Sequence, residues 1–390
     1  MFLPFFGLSA AFWIIIASIV AALLLALAWR FRQPMGPALV AYVILTTLVG
    51  LFGVILWQLT RMPPQFGGIL YVTGMLAMAF SAMSIFLGAV EFGLMRLLSV
   101  LRLGAIARVT YYEALLQPFT LIVLAAGLAS IGISARIGYF TYDEDFKMYR
   151  DVASSFIFLF SLPIMVFAST KVIDEEIENR TMLTLMSKPV SRRQVVIGKY
   201  IGVLTLVFTS VIILAAMAAV CSYLRYYDDM TLDYRLANPK EADLLELNNY
   251  KAFLALLPSV ALTFLQVASL AAISVAVSTR FGLAVNVTIV VIIYLAASLA
   301  RYVGGAPELP AVVRHGVGAL AYILPGLGDL DLNQRLVFGD YALRSADQLR
   351  GQPTYVQIWQ YVGLAAVYAV VYIGAVLSFG VGLFRSRELS

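Results

Sequence analysis

Residues 201–223 read IGVLTLVFTSVIILAAMAAVCSY, an apolar stretch without a charged side chain. A helix needs about 20 such residues to cross the ~30 Å hydrocarbon core of a bilayer, so this stretch predicts a membrane-spanning helix. Of the 390 residues in the chain, 62% are hydrophobic and 13% are charged. A soluble domain carries about 25% charged residues. The composition is therefore that of an integral membrane protein.

The same criterion, applied to the whole chain, predicts an all-α integral membrane fold with about nine transmembrane helices. They divide near Arg96 into a three-helix extension, residues 1–93, and a six-helix remainder, residues 94–390. The predicted spans are Leu8 to Trp29, Ala38 to Leu59, Gly68 to Val90, Pro118 to Ser134, Val152 to Ser169, Ile201 to Tyr223, Phe253 to Val277, Leu283 to Tyr302 and Val356 to Phe384.

Charges near the first span suggest how the helices are oriented. No Lys or Arg precedes this span, but Arg30 and Arg32 follow it, which favours an outer N-terminus and an inner first loop. Alternation then places residues 170–200 on the cytoplasmic side. Lys and Arg divide almost evenly between the two sides, but most of the outer ones lie in two long loops, where the positive-inside rule has less force. These predicted outer loops are Leu224 to Tyr250 and Val303 to Tyr355.

The residue inventory argues against catalysis by this chain. The sequence contains no phosphate-binding loop, no zinc-protease motif and no nucleophile elbow. One cysteine, Cys221, and one histidine, His315, exclude the usual His/Cys metal sites. The net charge of +5 is not arranged as a basic stripe with aromatic residues, so nucleic acid is not an expected partner. We therefore expect no enzyme activity, no cofactor and no metal in this chain.

The most informative pattern lies between the fifth and sixth predicted spans. Residues 169–202 read STKVIDEEIENRTMLTLMSKPVSRRQVVIGKYIG. Asp174, Glu175 and Glu176 are expected at the start of a helix, where the helix dipole favours acidic groups. Glu176 is four residues before Arg180, a spacing that allows an ion pair on one helix face. These features predict a short polar helix near residues 172–188; a solvated charged loop is the alternative.

Definite signals end this predicted helix and begin the next. Pro189 cannot continue a helix and follows Lys188 directly. Ser191 and Gln194 have the spacing of a capping box, in which each side chain binds the backbone N–H of the other residue. The segment is therefore expected to join two spanning helices at the cytoplasmic face.

Three parts of this segment carry a resemblance to a known family. The runs Asp174–Thr181 (DEEIENRT), Leu185–Arg192 (LMSKPVSR) and Gly198–Gly202 (GKYIG) resemble the signature of ABC-2 type transporter permeases, the membrane subunits of bacterial ABC exporters. The chain is similar to the branch with the nitrous-oxide-reductase maturation and sodium-efflux permeases. The resemblance extends from Leu94 to the C-terminus and includes Leu324–Asp329 (LPGLGD). The first three spans depart from the family pattern.

The resemblance implies a fold, a function and a set of partners. The fold would be a six-helix, type V exporter-like bundle preceded by three extra helices. The chain would form the translocation path of an ATP-driven exporter in the bacterial inner membrane. ATP would bind a separate ABC ATPase subunit, and a second permease copy or homologue would complete a dimer. A periplasmic partner is also conceivable.

The resemblance also assigns roles to residues. The segment near 172–188 would be the coupling helix that docks on the ATPase, and residues after it would fix the elbow into the next span. Each of these residues has an alternative role as a helix cap or a contact to lipid headgroups. The residues facing the ATPase are Glu175, Glu176, Glu178, Arg180 and Thr181, and those of the elbow are Lys188, Pro189 and Arg192.

Two further patterns are weaker. Leucines in Leu94–Gly104 follow the helical spacing of an interfacial helix, although this stretch could equally continue the third span. Gly374, Ser378 and Gly382 form a ridge of small residues that allows close helix packing. We interpret the ridge first as packing within the bundle and second as a contact between subunits.

Three other functions compete with the permease. A secondary transporter or channel would carry ionisable residues at mid-membrane, but such residues lie at the edges of the predicted spans. A membrane scaffold or anchor would need no ATPase, and an intramembrane enzyme would need catalytic groups that the sequence lacks. The charge pattern of residues 169–202 favours the ATP-driven permease.

Overall fold

A computed structural model describes residues 102–135, 137–139, 145–178, 191–237, 242–304, 324–330 and 355–385. Regular structure in these ranges is entirely α-helical, as predicted. The chain divides into two compact units, Met1–Leu97 and Leu98–Ser390. The three predicted N-terminal spans, and residues 94–101 of the predicted interfacial helix, lie outside the described ranges.

Eight helices make up the described part of the second unit. They are α1 (Arg102–Leu115), α2 (Pro118–Ser134), α3 (Asp145–Glu178), α4 (Arg192–Ala237), α5 (Ala242–Ser278), α6 (Leu283–Gly304), α7 (Leu327–Leu330) and α8 (Tyr355–Arg385).

Four of these helices are long and apolar enough to cross a membrane: α3, α4, α5 and α8. Helices α1 and α2 meet the same criterion only as a pair, which is bent by 65°. The apolar part of α6, Leu283–Leu299, is shorter. The described residues therefore contain four candidate spans, or five with the bent pair, where the sequence predicts six. The total of nine stays a prediction.

The bend between α1 and α2 has a local cause. Pro118 occupies the start of α2, where its missing N–H is not needed by the helix. The preceding residue, Gln117, has φ −64° and ψ 131°, an extended conformation that proline imposes on the residue before it. Two prolines farther along, Pro163 in α3 and Pro258 in α5, lie inside continuous helices, as expected for membrane helices.

Two helices continue well past their apolar spans. The sequence predicts a loop over residues 224–250, but α4 extends to Ala237 and α5 begins at Ala242. A helix of 46 residues is about 69 Å long at 1.5 Å per residue, more than twice the hydrocarbon thickness. This part of the predicted outer loop is therefore mostly helix.

Helix α5 occupies the centre of the bundle. It packs against α3, α4 and α8. Within its most apolar stretch 78% of residues are buried, against 22% for α8, whose large side chains mostly face outward. Small residues such as Ala271, Ala272 and Ala276 line α5, so neighbouring helices can approach it closely.

Candidate functional site

The ends of six helices meet at one end of the bundle. Thr170 near the end of α3 and Ser274 near the end of α5 both bind Asn286 at the start of α6. In α8, Gly380 lies against Ala276 of α5. The start of α4 packs on α1 through Gly198. The chain therefore leaves the bundle through α3 and re-enters it through α4 at this end, which we call the coupling end.

The predicted coupling residues divide between described and undescribed parts of the chain. Glu175, Glu176 and Glu178 belong to α3, which runs without a break from Asp145. The prediction that a separate helix begins at Asp174, Glu175 and Glu176 is therefore wrong. They occupy the last turns of α3, where the dipole does not favour them, because a helix already formed by the span is extended at little cost.

The remaining predicted residues follow this helix. Arg180, Thr181, Lys188 and Pro189 lie outside the described residues. Arg192 is the first residue of α4. The prediction of a coupling helix that docks on an ATPase stays a prediction for this segment.

The capping box at the start of α4 is confirmed. The backbone N–H of Ser191 donates to Oε1 of Gln194 at 2.9 Å, and the N–H of Gln194 donates to Oγ of Ser191 at 3.3 Å. These reciprocal bonds satisfy two backbone donors that a helix start leaves without partners. The position at which the chain re-enters the bundle is thus set by the local sequence.

A seam of glycines holds α4 against α1. A Cβ atom placed on Gly198 would lie 3.0 Å from Cβ of Ile106 and 3.1 Å from the carbonyl oxygen of Leu103. At Gly202 it would lie 2.6 Å from the carbonyl oxygen of Ala107 and 2.6 Å from Cβ of Thr110. Only glycine allows two helix backbones to come this close.

This seam gives the Gly198–Gly202 run a physical role beyond the family resemblance. Two glycines four residues apart lie on the same helix face, and that spacing marks close helix packing in membranes. The spacing is visible in the sequence itself.

The predicted ridge on α8 faces away from the described helices. Gly374, Ser378 and Gly382 are all exposed, and the Ser378 hydroxyl donates to the Gly374 carbonyl at 2.7 Å. The close approach of α8 to α5 is instead made by Gly380, where an added Cβ would lie 2.8 Å from Cβ of Ala276. The role of the Gly374–Gly382 ridge in helix packing stays a prediction.

Two cations are almost completely buried in the bundle. Arg150 in α3 is 1% exposed and Lys199 in α4 is 2% exposed. Both lie within about two helical turns of the ends of their candidate spans, Lys147–Lys171 and Arg193–Ser222. The sequence predicts cations at span edges, and these positions agree with that expectation.

A short helix, α7, packs on the bundle near its opposite end. Leu327 and Leu330 of α7 are buried, and Leu330 packs with Leu262 of α5 and Val362 of α8. The backbone N–H of Gly326 donates to the Tyr368 hydroxyl at 3.0 Å. The LPGLGD run therefore packs against α5 and α8 at the end away from the coupling end.

Comparison with known proteins places this arrangement in a family context. A family model described as ABC-2 family transporter protein matches residues 130–378, more than half of the chain. The match contains α3, α4, α5, α6 and α7 in full and most of α8. No curated protein matches the chain.

Proposed function

The chain belongs to the ABC-2 family of transporter proteins, and on that premise we propose that it is the permease subunit of an ATP-driven exporter in the bacterial inner membrane. Membership makes it a multi-pass membrane permease of an ABC transporter, with an ABC ATPase as the implied partner. Export as the direction, coupling through residues 172–188 and a second permease copy are our proposals.

One observation carries the coupling proposal: both helices that flank residues 179–190 are fixed in the bundle at the coupling end. On one side, α3 is hydrogen-bonded to α5 and α6 through Thr170 and its neighbours. On the other side, α4 is packed backbone to backbone against α1 at Gly202. A force applied to the connecting segment would therefore act on several helices together.

The geometry also allows the segment to reach a partner outside the membrane. The apolar span of α3 ends at Lys171, but the helix continues to Glu178, about 10 Å farther at 1.5 Å per residue. This extension carries Glu175, Glu176 and Glu178 beyond the apolar span. We propose that these carboxylates, with Arg180 and Thr181, contact the ATPase, and that Lys188, Pro189 and Arg192 form the elbow.

The proposed mechanism requires no chemistry in this chain. ATP closes the ATPase dimer, the two coupling segments move with it, and the helical bundles change between inward-open and outward-open arrangements. Such rigid-body movements pass through packed helices because a close-packed interior resists gradual deformation. The exposed ridge of Gly374, Ser378 and Gly382 offers one surface for a second permease copy.

A labelling experiment tests the orientation on which coupling depends. We expect a cysteine at Glu176, in a chain with Cys221→Ser, to react with a membrane-impermeant maleimide only when the cytoplasmic side is accessible. Cys221 is the one cysteine of the chain and is buried, so its removal leaves a clean background. Reaction of the cysteine in E176C from outside intact cells would contradict the proposal.

The control for this experiment lies at the other end of the bundle. Gly138 is exposed between α2 and α3, with open space around it. We expect the cysteine in G138C to react in intact cells, which shows that the reagent reaches the outer surface. The two variants together thus determine which bundle end faces the cytosol.

A further inference from the structure

Four polar side chains form a buried cluster at the coupling end. Ser169 and Thr170 come from α3, Ser274 comes from α5 and Asn286 comes from α6. Each is 0% exposed. We call this group the Asn286 cluster. Its members join three helices at the point where α3 leaves its apolar span.

Asn286 is the donor in both of its hydrogen bonds within the cluster. Nδ2 of Asn286 donates to Oγ1 of Thr170 at 2.6 Å and to Oγ of Ser274 at 2.8 Å. The Thr170 hydroxyl donates to the Val166 carbonyl at 2.8 Å, and the Ser169 hydroxyl can donate to the same carbonyl at 3.0 Å. The Ser169 and Ser274 hydroxyls are hydrogen-bonded to each other, and either can be the donor. All three hydroxyls therefore have partners other than Asn286.

This arrangement confines the free-energy cost of opening the cluster to one side chain. If α6 moves away, the Thr170 and Ser169 hydroxyls keep the Val166 carbonyl as acceptor, and Ser274 keeps Ser169. Only the amide of Asn286 loses its partners. Buried donors without partners are expensive in a membrane, so a joint that leaves a single side chain unpaired is easier to break than a reciprocal network.

The closed arrangement is itself not fully satisfied. Oδ1 of Asn286 is buried and has no hydrogen-bond partner. A buried acceptor left without a donor raises the free energy of the state that contains it. A displacement of α6 that brings Oδ1 to a donor would relieve that cost.

We propose that Asn286 is a positioning residue that transmits movement of the coupling segment from α3 to α6, by holding α6 in one arrangement and releasing it in the other. This inference rests on the proposed function, since the movement comes from an ATPase. The cluster lies directly before Lys171, where α3 leaves its apolar span, so displacement of the α3 extension acts on it.

The test measures helix movement directly, because the cargo is unidentified. Spin labels are placed at R193C and R280C in the Cys221→Ser chain; both positions are exposed at the coupling end, on α4 and on the turn between α5 and α6. The complex with its ATPase is reconstituted in lipid vesicles. The distance between the labels is compared without nucleotide and with ATP bound.

Asn286→Leu is expected to weaken coupling between α3 and α6 without lowering the stability of the bundle. The substitution removes the joint and the unpaired Oδ1, while the three hydroxyls keep partners other than Asn286. We therefore expect an unchanged or higher melting temperature, unchanged ATPase binding, and loss of most of the nucleotide-dependent change in label distance. Thr170→Val, which removes one of the two acceptors, should give a smaller reduction and serves if Asn286→Leu does not fold.

Thr288→Val is the matched control. Thr288 lies on the same helix, is exposed, and bonds only the Ala284 carbonyl of its own helix at 2.9 Å. We expect Thr288→Val to keep the full change in label distance on ATP binding. If Asn286→Leu and Thr170→Val bind the ATPase and keep the full nucleotide-dependent change in label distance, the role proposed for Asn286 is wrong, while the proposed function stands. Absence of an ATPase from every variant, the unchanged chain included, would overturn the proposed function and the joint together.

Discussion

Replacement of Gly202 by leucine is expected to destabilise the bundle strongly. Even the first atom of the new side chain would lie 2.6 Å from the Ala107 carbonyl oxygen and 2.6 Å from Cβ of Thr110. The backbone of α1 would have to move, since neither atom is the end of a flexible side chain. Overpacking of this kind costs about 1–3 kcal/mol and at times more. The measurement is the melting temperature of the purified chain in detergent.

Gly363→Leu provides the control for this prediction. Both glycines lie inside long apolar helices, but an added Cβ at Gly363 meets no atom within 4 Å. Leucine also has the better helix propensity at both positions. We therefore expect Gly363→Leu to melt at or above the temperature of the unchanged chain. Equal melting temperatures for Gly202→Leu and the unchanged chain would show that the α1–α4 seam does not support the fold.

The second large effect is expected from reversing charge in the coupling segment. Glu176→Lys combined with Arg180→Glu should release the ATPase and uncouple transport, while insertion into the membrane stays intact. Removing one partner of a buried, hydrogen-bonded charge pair at an interface costs about 2–5 kcal/mol, so binding falls at least about thirtyfold if these charges are buried against the ATPase. The measurement is the amount of ATPase that co-purifies with the chain.

The matched control for charge reversal is Arg280→Glu. Arg280 is exposed at the same end of the bundle but lies in the turn between α5 and α6, outside the coupling segment. This variant should retain the ATPase. Unchanged ATPase binding and unchanged transport in the double reversal would count against the roles proposed for Glu176 and Arg180.

Local sequence signals predicted helices best where hydropathy and proline agree. Helix α2 has the predicted bounds, Pro118–Ser134, because Pro118 starts it and an apolar run continues it. The polar extension of α4 to Ala237 was not predicted, since its residues show no apolar period. Extension of an existing helix needs no new nucleus, so polar residues join it despite weak local preference.

In the candidate site, too, the sequence predicts local features but not contacts between distant residues. The capping box of Ser191 and Gln194 depends on residues three apart and was readable from the sequence. The contact of Asn286 with Thr170 joins positions 116 residues apart, and the local sequence around either residue does not indicate the other. Such a contact is decided by the packing of helices, which local patterns do not determine.

The central claim is that this permease works with an ATPase held at the coupling end. The most direct measurement is affinity purification of the full chain from membranes in which it is expressed together with its neighbouring reading frames. We predict that a protein with a phosphate-binding loop co-purifies in stoichiometric amount and hydrolyses ATP. A purified assembly that never contains an ATPase would contradict the account.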